Sequence, residues 1–208
     1  MIKEYIMMSK TLEVNPTQKI ALLGILGALG IVLYVATPIR YPIFPDLQFE
    51  FSDIVVLIAF LLFGFREAAF LAAIKAVMHL MVYGPAGPIA IGQISAFIAS
   101  MVYILGIYLA IKIRIYNKPY FTIPFVVVLI ITTMTISNFF IVTPIYFNMS
   151  FLEAMSNVNP GFLGFNIGGG YIVFTLILYV PFNFVKALVI MLVFYVIKNP
   201  INRFIEGV

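Results

Sequence analysis

No cysteine occurs among the 208 residues. Disulfides, thiol nucleophiles and thiolate metal sites are therefore excluded. The single histidine, His79, leaves no multi-histidine metal centre within one chain. Charge is scarce as well, with 10% Asp, Glu, Lys and Arg against 63% hydrophobic residues. A soluble domain carries about 25% charged residues, whereas helices facing hydrocarbon need none. The sequence has no HExxH, no GxSxG and no paired acids within its apolar runs. An intramembrane enzyme would have only His79 with Asp53 or Glu50 for acid–base work, so enzymatic chemistry is not expected. No Gly-x-x-x-x-Gly-Lys-Ser/Thr motif is present either, so the chain cannot power transport by itself.

What remains is a succession of apolar runs. They cover about residues 20–36, 54–64, 67–82, 89–111, 120–142 and 171–197. Each is read as a membrane span, giving an all-α membrane protein, a six-helix transmembrane bundle forming one domain over 1–208. The second and third runs are short, and one re-entrant hairpin is the other way to read them. The first 19 residues mix Lys3, Glu4, Lys10, Glu13 and Lys19 with apolar positions. They read as a cytoplasmic lead-in and not as a cleaved signal. With six spans and both termini cytoplasmic, the inner segments also hold Arg66, Lys112, Arg114, Lys118, Lys198 and Arg203. The outer loops hold one base, Arg40, beside Asp46, Glu50, Asp53 and Glu153. This is the positive-inside pattern, so the net charge of +4 speaks to topology and not to nucleic acid.

Heights along the helices locate the polar groups, at 1.5 Å per residue. Lys75 lies about 13 Å above Arg66, with His79 one turn further on the same face. Lys186 and Asn183 lie about 18 and 22 Å above Lys198, and Asn138 about 30 Å above Lys118. Asp53 and Glu50 approach from the loop 37–53. All these groups fall between mid-membrane and the outer surface, while the inner halves of the spans are nearly pure apolar. That pattern describes a cavity open to one side, not a pore. Amides, cations and aromatics around it suit a planar, polar-edged organic ligand.

Several positions keep two readings open. Lys75 and His79 either pair structurally with Asp53 or face a ligand. Asn138 either bridges helices or binds. The aromatics of loop 37–53 are interfacial anchors or ligand stackers. In the first span, Ala21, Gly24, Gly27, Ala28 and Gly30 form a small-residue surface that either packs within the chain or docks a partner.

The run Leu47-Gln48-Phe49-Glu50-Phe51-Ser52-Asp53-Ile54 resembles the stretch ahead of the second span in S components of energy-coupling factor (ECF) vitamin transporters, above all the riboflavin-specific ones. Further similar motifs are Lys75-x-x-x-His79, Gly84-Pro85-x-Gly87-Pro88, Ser137-Asn138 with Thr143-Pro144-x-Tyr146, and Pro181-Phe182-Asn183-x-x-Lys186. The resemblance implies a prokaryotic plasma-membrane subunit that captures riboflavin, or its phosphate FMN, from outside and uses no cofactor. It implies ligand contacts from Gln48, Phe49, Glu50, Asp53, Lys75, His79, Asn138, Tyr146, Asn183 and Lys186, with the first and fifth loops covering the ligand. It implies as partners a transmembrane coupling subunit, docked on Gly24 and Ala28, and two cytoplasmic ATPases. Gly92-Gln93 departs from the Gly-Glu pair of many relatives, and the fifth loop is longer than theirs.

Overall fold

The computed structural model describes residues 12, 14–36, 39–165 and 168–207. Lys3, Glu4, Lys10 and Glu13 lie outside the described residues. Helix α1, Pro16–Ala36, is followed by a short ribbon, β1 Ile39–Arg40 and β2 Gln48–Phe49. Then come α2 Asp53–Phe63, α3 Phe65–Tyr83, α4 Ile91–Lys112 and α5 Pro119–Ser137. A π turn at Asn138–Val142 carries α5 into α6, Thr143–Tyr146; α7 Phe151–Asn157 and the long α8 Gly170–Gly207 complete the chain.

Four helical stretches are long and apolar enough to cross a membrane: Pro16–Val35, Pro88–Lys112, Pro119–Tyr146 and Gly170–Ile205. The second expected span does not meet that standard. At 11 residues, α2 is about 16 Å long against a hydrocarbon core of about 30 Å. Its neighbours explain the shortness. It packs on α1, α3, α4 and α8, with Val55, Val56, Leu57 and Ala59 all buried. A helix wrapped by protein has no lipid thickness to match, and it is apolar on every side because every side is core. The third, α3, has the length but carries Arg66, Glu67 and Lys75. It buries Ala68, Leu71, Ala72 and Lys75 on one stripe and turns Phe70, Val77 and Met81 outward.

Gly64 alone joins α2 to α3. Its φ of 95° and ψ of −170° form a backbone shape open only to glycine. The reversal sets Asp53 and Lys75 at equal sequence distance from the turn, hence at the same height.

Two helix ends differ from expectation. The fifth run stays helical to Tyr146, because the π turn absorbs one extra residue where Asn138 faces inward. The sixth does not close at Lys198 but runs on through Pro200 to Gly207. Lys198 is turned onto Tyr116 and Asn117 of the α4–α5 loop. On α1, Leu23, Leu26, Gly27 and Gly30 face the bundle. Gly24 and Ala28 are exposed, and a side chain added at Gly24 would meet nothing within 4 Å. The small-residue surface thus divides: Gly27 packs on Leu71 and Met78 and Gly30 borders a small inner chamber, while Gly24 and Ala28 face outward.

Candidate ligand-binding cavity

A cavity of about 350 Å³ opens at the end of the bundle where the β ribbon sits. That volume lies in the range of clefts that hold small organic ligands, about 300–1,000 Å³. The ribbon forms one wall. Ile39 pairs with Phe49 and Arg40 with Gln48, and the Tyr41 amide donates to the Leu47 carbonyl at 2.8 Å. This folds the proline-rich loop into a hairpin, putting Phe44, Asp46, Leu47, Gln48 and Glu50 on the cavity. The hairpin is fastened by rings: Phe49 lies 4.8 Å and Tyr41 5.4 Å from Phe182, centroid to centroid. Tyr41 and Phe49 are therefore anchors to α8, while Phe44 faces the space.

The opposite wall comes from α5 and α8. Asn138 Nδ2 donates to the Met134 carbonyl at 2.6 Å, and Asn183 Nδ2 to the Tyr179 carbonyl at 2.9 Å. Each amide thus spends one of its two N–H donors on its own helix, one turn back, and both residues line the cavity. Pro181 cannot donate to the Ile177 carbonyl, which loosens α8 just before Asn183. A third wall is the turn before α4. Buried Gln93 donates to the Gly84 carbonyl at 2.8 Å and accepts from the Ala86 amide at 3.0 Å. Gly92 presses on the same turn, where an added Cβ would lie 2.7 Å from the Ala86 side chain. The Gly92-Gln93 departure is thereby explained: the glutamine supplies both a donor and an acceptor to the turn, bringing Ala86 and Gly87 to the cavity.

Beneath the cavity lies a closed charge cluster. Lys75 Nζ meets Asp53 Oδ1 at 2.6 Å, and Lys186 Nζ meets Glu50 Oε1 and Asp53 Oδ2, both at 3.3 Å. Ser100 bridges the first pair, its Oγ 2.5 Å from Asp53 Oδ1 and 2.9 Å from Lys75 Nζ. Asp53 is wholly buried and the two lysines nearly so. Two cations and two carboxylates cancel, so no net charge is buried, and each charge has the partner that desolvation demands.

The ten expected ligand residues divide accordingly. Gln48, Glu50, His79, Asn138, Tyr146, Asn183 and Lys186 line the cavity. Phe49, Asp53 and Lys75 do not; Phe49 supports the hairpin and the other two form the floor. His79 does not join Asp53. Its ring sits 4.1 Å from Tyr34 and 5.4 Å from Tyr83, and with Glu50 it borders a side chamber of about 20 Å³ that Lys75 and Ser52 also line. Tyr146 donates its hydroxyl to Asp46, tying α6 to the hairpin. Beyond Tyr146, no described residue of the fifth loop lines the cavity.

Sequence reading missed Ser100, Gln93 and the wall residues Ala96, Ala99, Met134 and Tyr179. Small and apolar positions carry no chemical signal, and a single serine in an apolar span is common. The Gln93 departure was visible, but its two backbone partners were not.

A membrane bundle with a polar-edged cavity at one end, floored by paired charges, can hold a small molecule. The chain belongs to the family described as "ECF transporter, substrate-specific component", whose model matches residues 18–198. It is thus a transporter subunit and not an enzyme; its small molecule is cargo and not a cofactor, and it works with an ECF module. Among curated proteins it is similar to the riboflavin transporter FmnP of Bacillus subtilis (strain 168). The two are 26% identical over 191 residues, covering 91% of this chain and 94% of that one. Among solved structures it shares its fold with the S component of a bacterial ECF transporter, at a TM-score of 0.69 and 20% identity, covering 92% of this chain and 99% of the other.

Proposed function

We propose that this chain is the extracellular riboflavin-binding subunit of an ATP-driven vitamin importer, a single substrate-binding domain crossing the plasma membrane six times with both termini inside. The observation that carries the reading is the cavity, with aromatic walls for a flat ring system and amides and Lys186 at its edge, in a chain similar end to end to a riboflavin transporter. α2 makes its crossing inside the protein, aided by the hairpin that dips toward Asp53. Gln48, Glu50, His79, Asn138, Tyr146, Asn183 and Lys186 contact the ligand; Phe49, Asp53 and Lys75 hold them in place.

The charge cluster favours riboflavin over FMN. A phosphate would seek Lys186, yet that ammonium is already held by Glu50 and Asp53, and Asp46 stands on the cavity wall. The exposed Gly24 and Ala28 face of α1 receives a transmembrane coupling subunit, through which two cytoplasmic ATPases act; a close helix–helix approach needs such small residues. Titrating purified protein with riboflavin, FMN and other vitamins while following flavin fluorescence tests the assignment. Saturable quenching by riboflavin, with weaker competition from FMN, is expected. Tight binding of another vitamin with no flavin quenching would overturn the ligand and leave the family intact.

A further inference from the structure

Beyond Tyr146, the fifth loop presents apolar side chains outward. Buried Ala154 in α7 and Val158 just after it face the bundle, while Leu152 is 74% and Met155 44% exposed. At about 100° per residue, the helix has three sides. Ala154 and Val158 form the first; Met155 and Leu152 form the second; Glu153 and Asn157 form the third. Leu152 and Met155 are thus apolar side chains that the bundle leaves uncovered.

Neighbouring residues identify what the second side meets. Phe151, the first residue of α7, lies 5.2 Å from Phe140. Phe140 is 54% exposed and Ile141 50%, both at the end of a stretch apolar enough to span a membrane, and Ile172 at the start of α8 is 55% exposed. The apolar side of α7 therefore continues the apolar belt of the bundle. Ser156, on that same side, donates its hydroxyl to the Leu152 carbonyl at 3.0 Å, so its polar atom needs no water. The helix is also preformed: Ser150 and Glu153 cap it reciprocally. The Ser150 amide holds the Glu153 carboxylate below its usual range, keeping the third side charged. A bundle-facing, an apolar and a charged side are what a helix at the bilayer surface requires.

We infer that α7 is an interfacial anchor, with Leu152 and Met155 seated in the lipid of the leaflet at the cavity end. It fixes the chain just beyond Tyr146 and so steadies the side of the cavity mouth that α6 forms.

The chain contains no tryptophan, so single tryptophans report without background. Leu152→Trp and Met155→Trp would be reconstituted in phosphatidylcholine vesicles with and without brominated acyl chains, beside Asn157→Trp on the charged side. The expected result is blue-shifted emission from the first two, severalfold stronger quenching by brominated lipid than for Asn157→Trp, and weak quenching by aqueous iodide. Iodide quenching equal to that of Asn157→Trp would overturn the inference, because water would then cover the face. Shielding from both quenchers would overturn it too, since a protein surface would be the occupant. Two reporters a helical turn apart guard against one variant misfolding, and unaltered riboflavin binding shows the bundle intact.

Discussion

Two lysines on α8, Lys186 and Lys198, are both buried, but they are partnered by different groups. Lys186 sits beside the cavity and is held by two carboxylates from the hairpin and α2. Lys198, at the basic end, has no carboxylate partner among the described contacts. Its ammonium lies 3.6 Å from the centre of the Tyr116 ring and 5.0 Å from that of Tyr195. It also donates to the Asn117 side chain at 2.8 Å and the Tyr116 carbonyl at 3.3 Å. Tyr195 donates to the same carbonyl, so the pair pins the α4–α5 loop to α8; the Tyr116 phenol is itself pushed up by burial. The difference separates a site from a staple. At the cavity end, charges from three distant segments meet next to empty space. At the basic end, one charge is spent on rings and carbonyls.

Asp53→Ala should break this comparison most severely, because it strips Lys75 of its acid and Lys186 of one of two. Removing one member of a buried pair costs about 3–5 kcal/mol, to be seen as a large drop in thermal unfolding temperature in detergent. An unfolding temperature close to wild type would mean that the cluster is solvated. Lys186→Met should weaken riboflavin binding by roughly tenfold to a hundredfold, matching the about 1.5–3 kcal/mol of a hydrogen bond to a charged group; fluorescence titration reads it. Lys198→Met should leave that affinity unchanged and cost about 0.5–2 kcal/mol of stability through the lost ring contact, measured by the same melting assay. Tyr146→Phe removes the tie to Asp46 and should speed ligand release by an amount worth about 0.5–1.5 kcal/mol, with little effect on melting; stopped-flow chase experiments would show it.

Local features were legible in the sequence, and distant pairings were not. The stripe on α3 and the Gly64 reversal follow from residue order, so the Lys75–Asp53 pair could be foreseen as one of two options. Height estimates also placed Asn138, Asn183 and Lys186 between mid-membrane and the outer surface, and these three do share the cavity. Glu50 as partner of Lys186 was out of reach, because the two lie 136 residues apart and meet through a hairpin whose prolines hid its two short strands. His79 was drawn toward Asp53 by charge, but the aromatic rings of Tyr34 and Tyr83 hold it instead. The π turn at Asn138 has no sequence signature, and α2 was too short to be recognised as the centre of the core.

The visible absorbance of the purified chain tests the central claim most directly, since a bound flavin absorbs blue light. The wild-type protein and Lys198→Met should both carry the flavin band after purification from a riboflavin-containing medium, and Lys186→Met should carry much less. A wild-type protein without the band that also fails to acquire it on adding riboflavin would contradict the account.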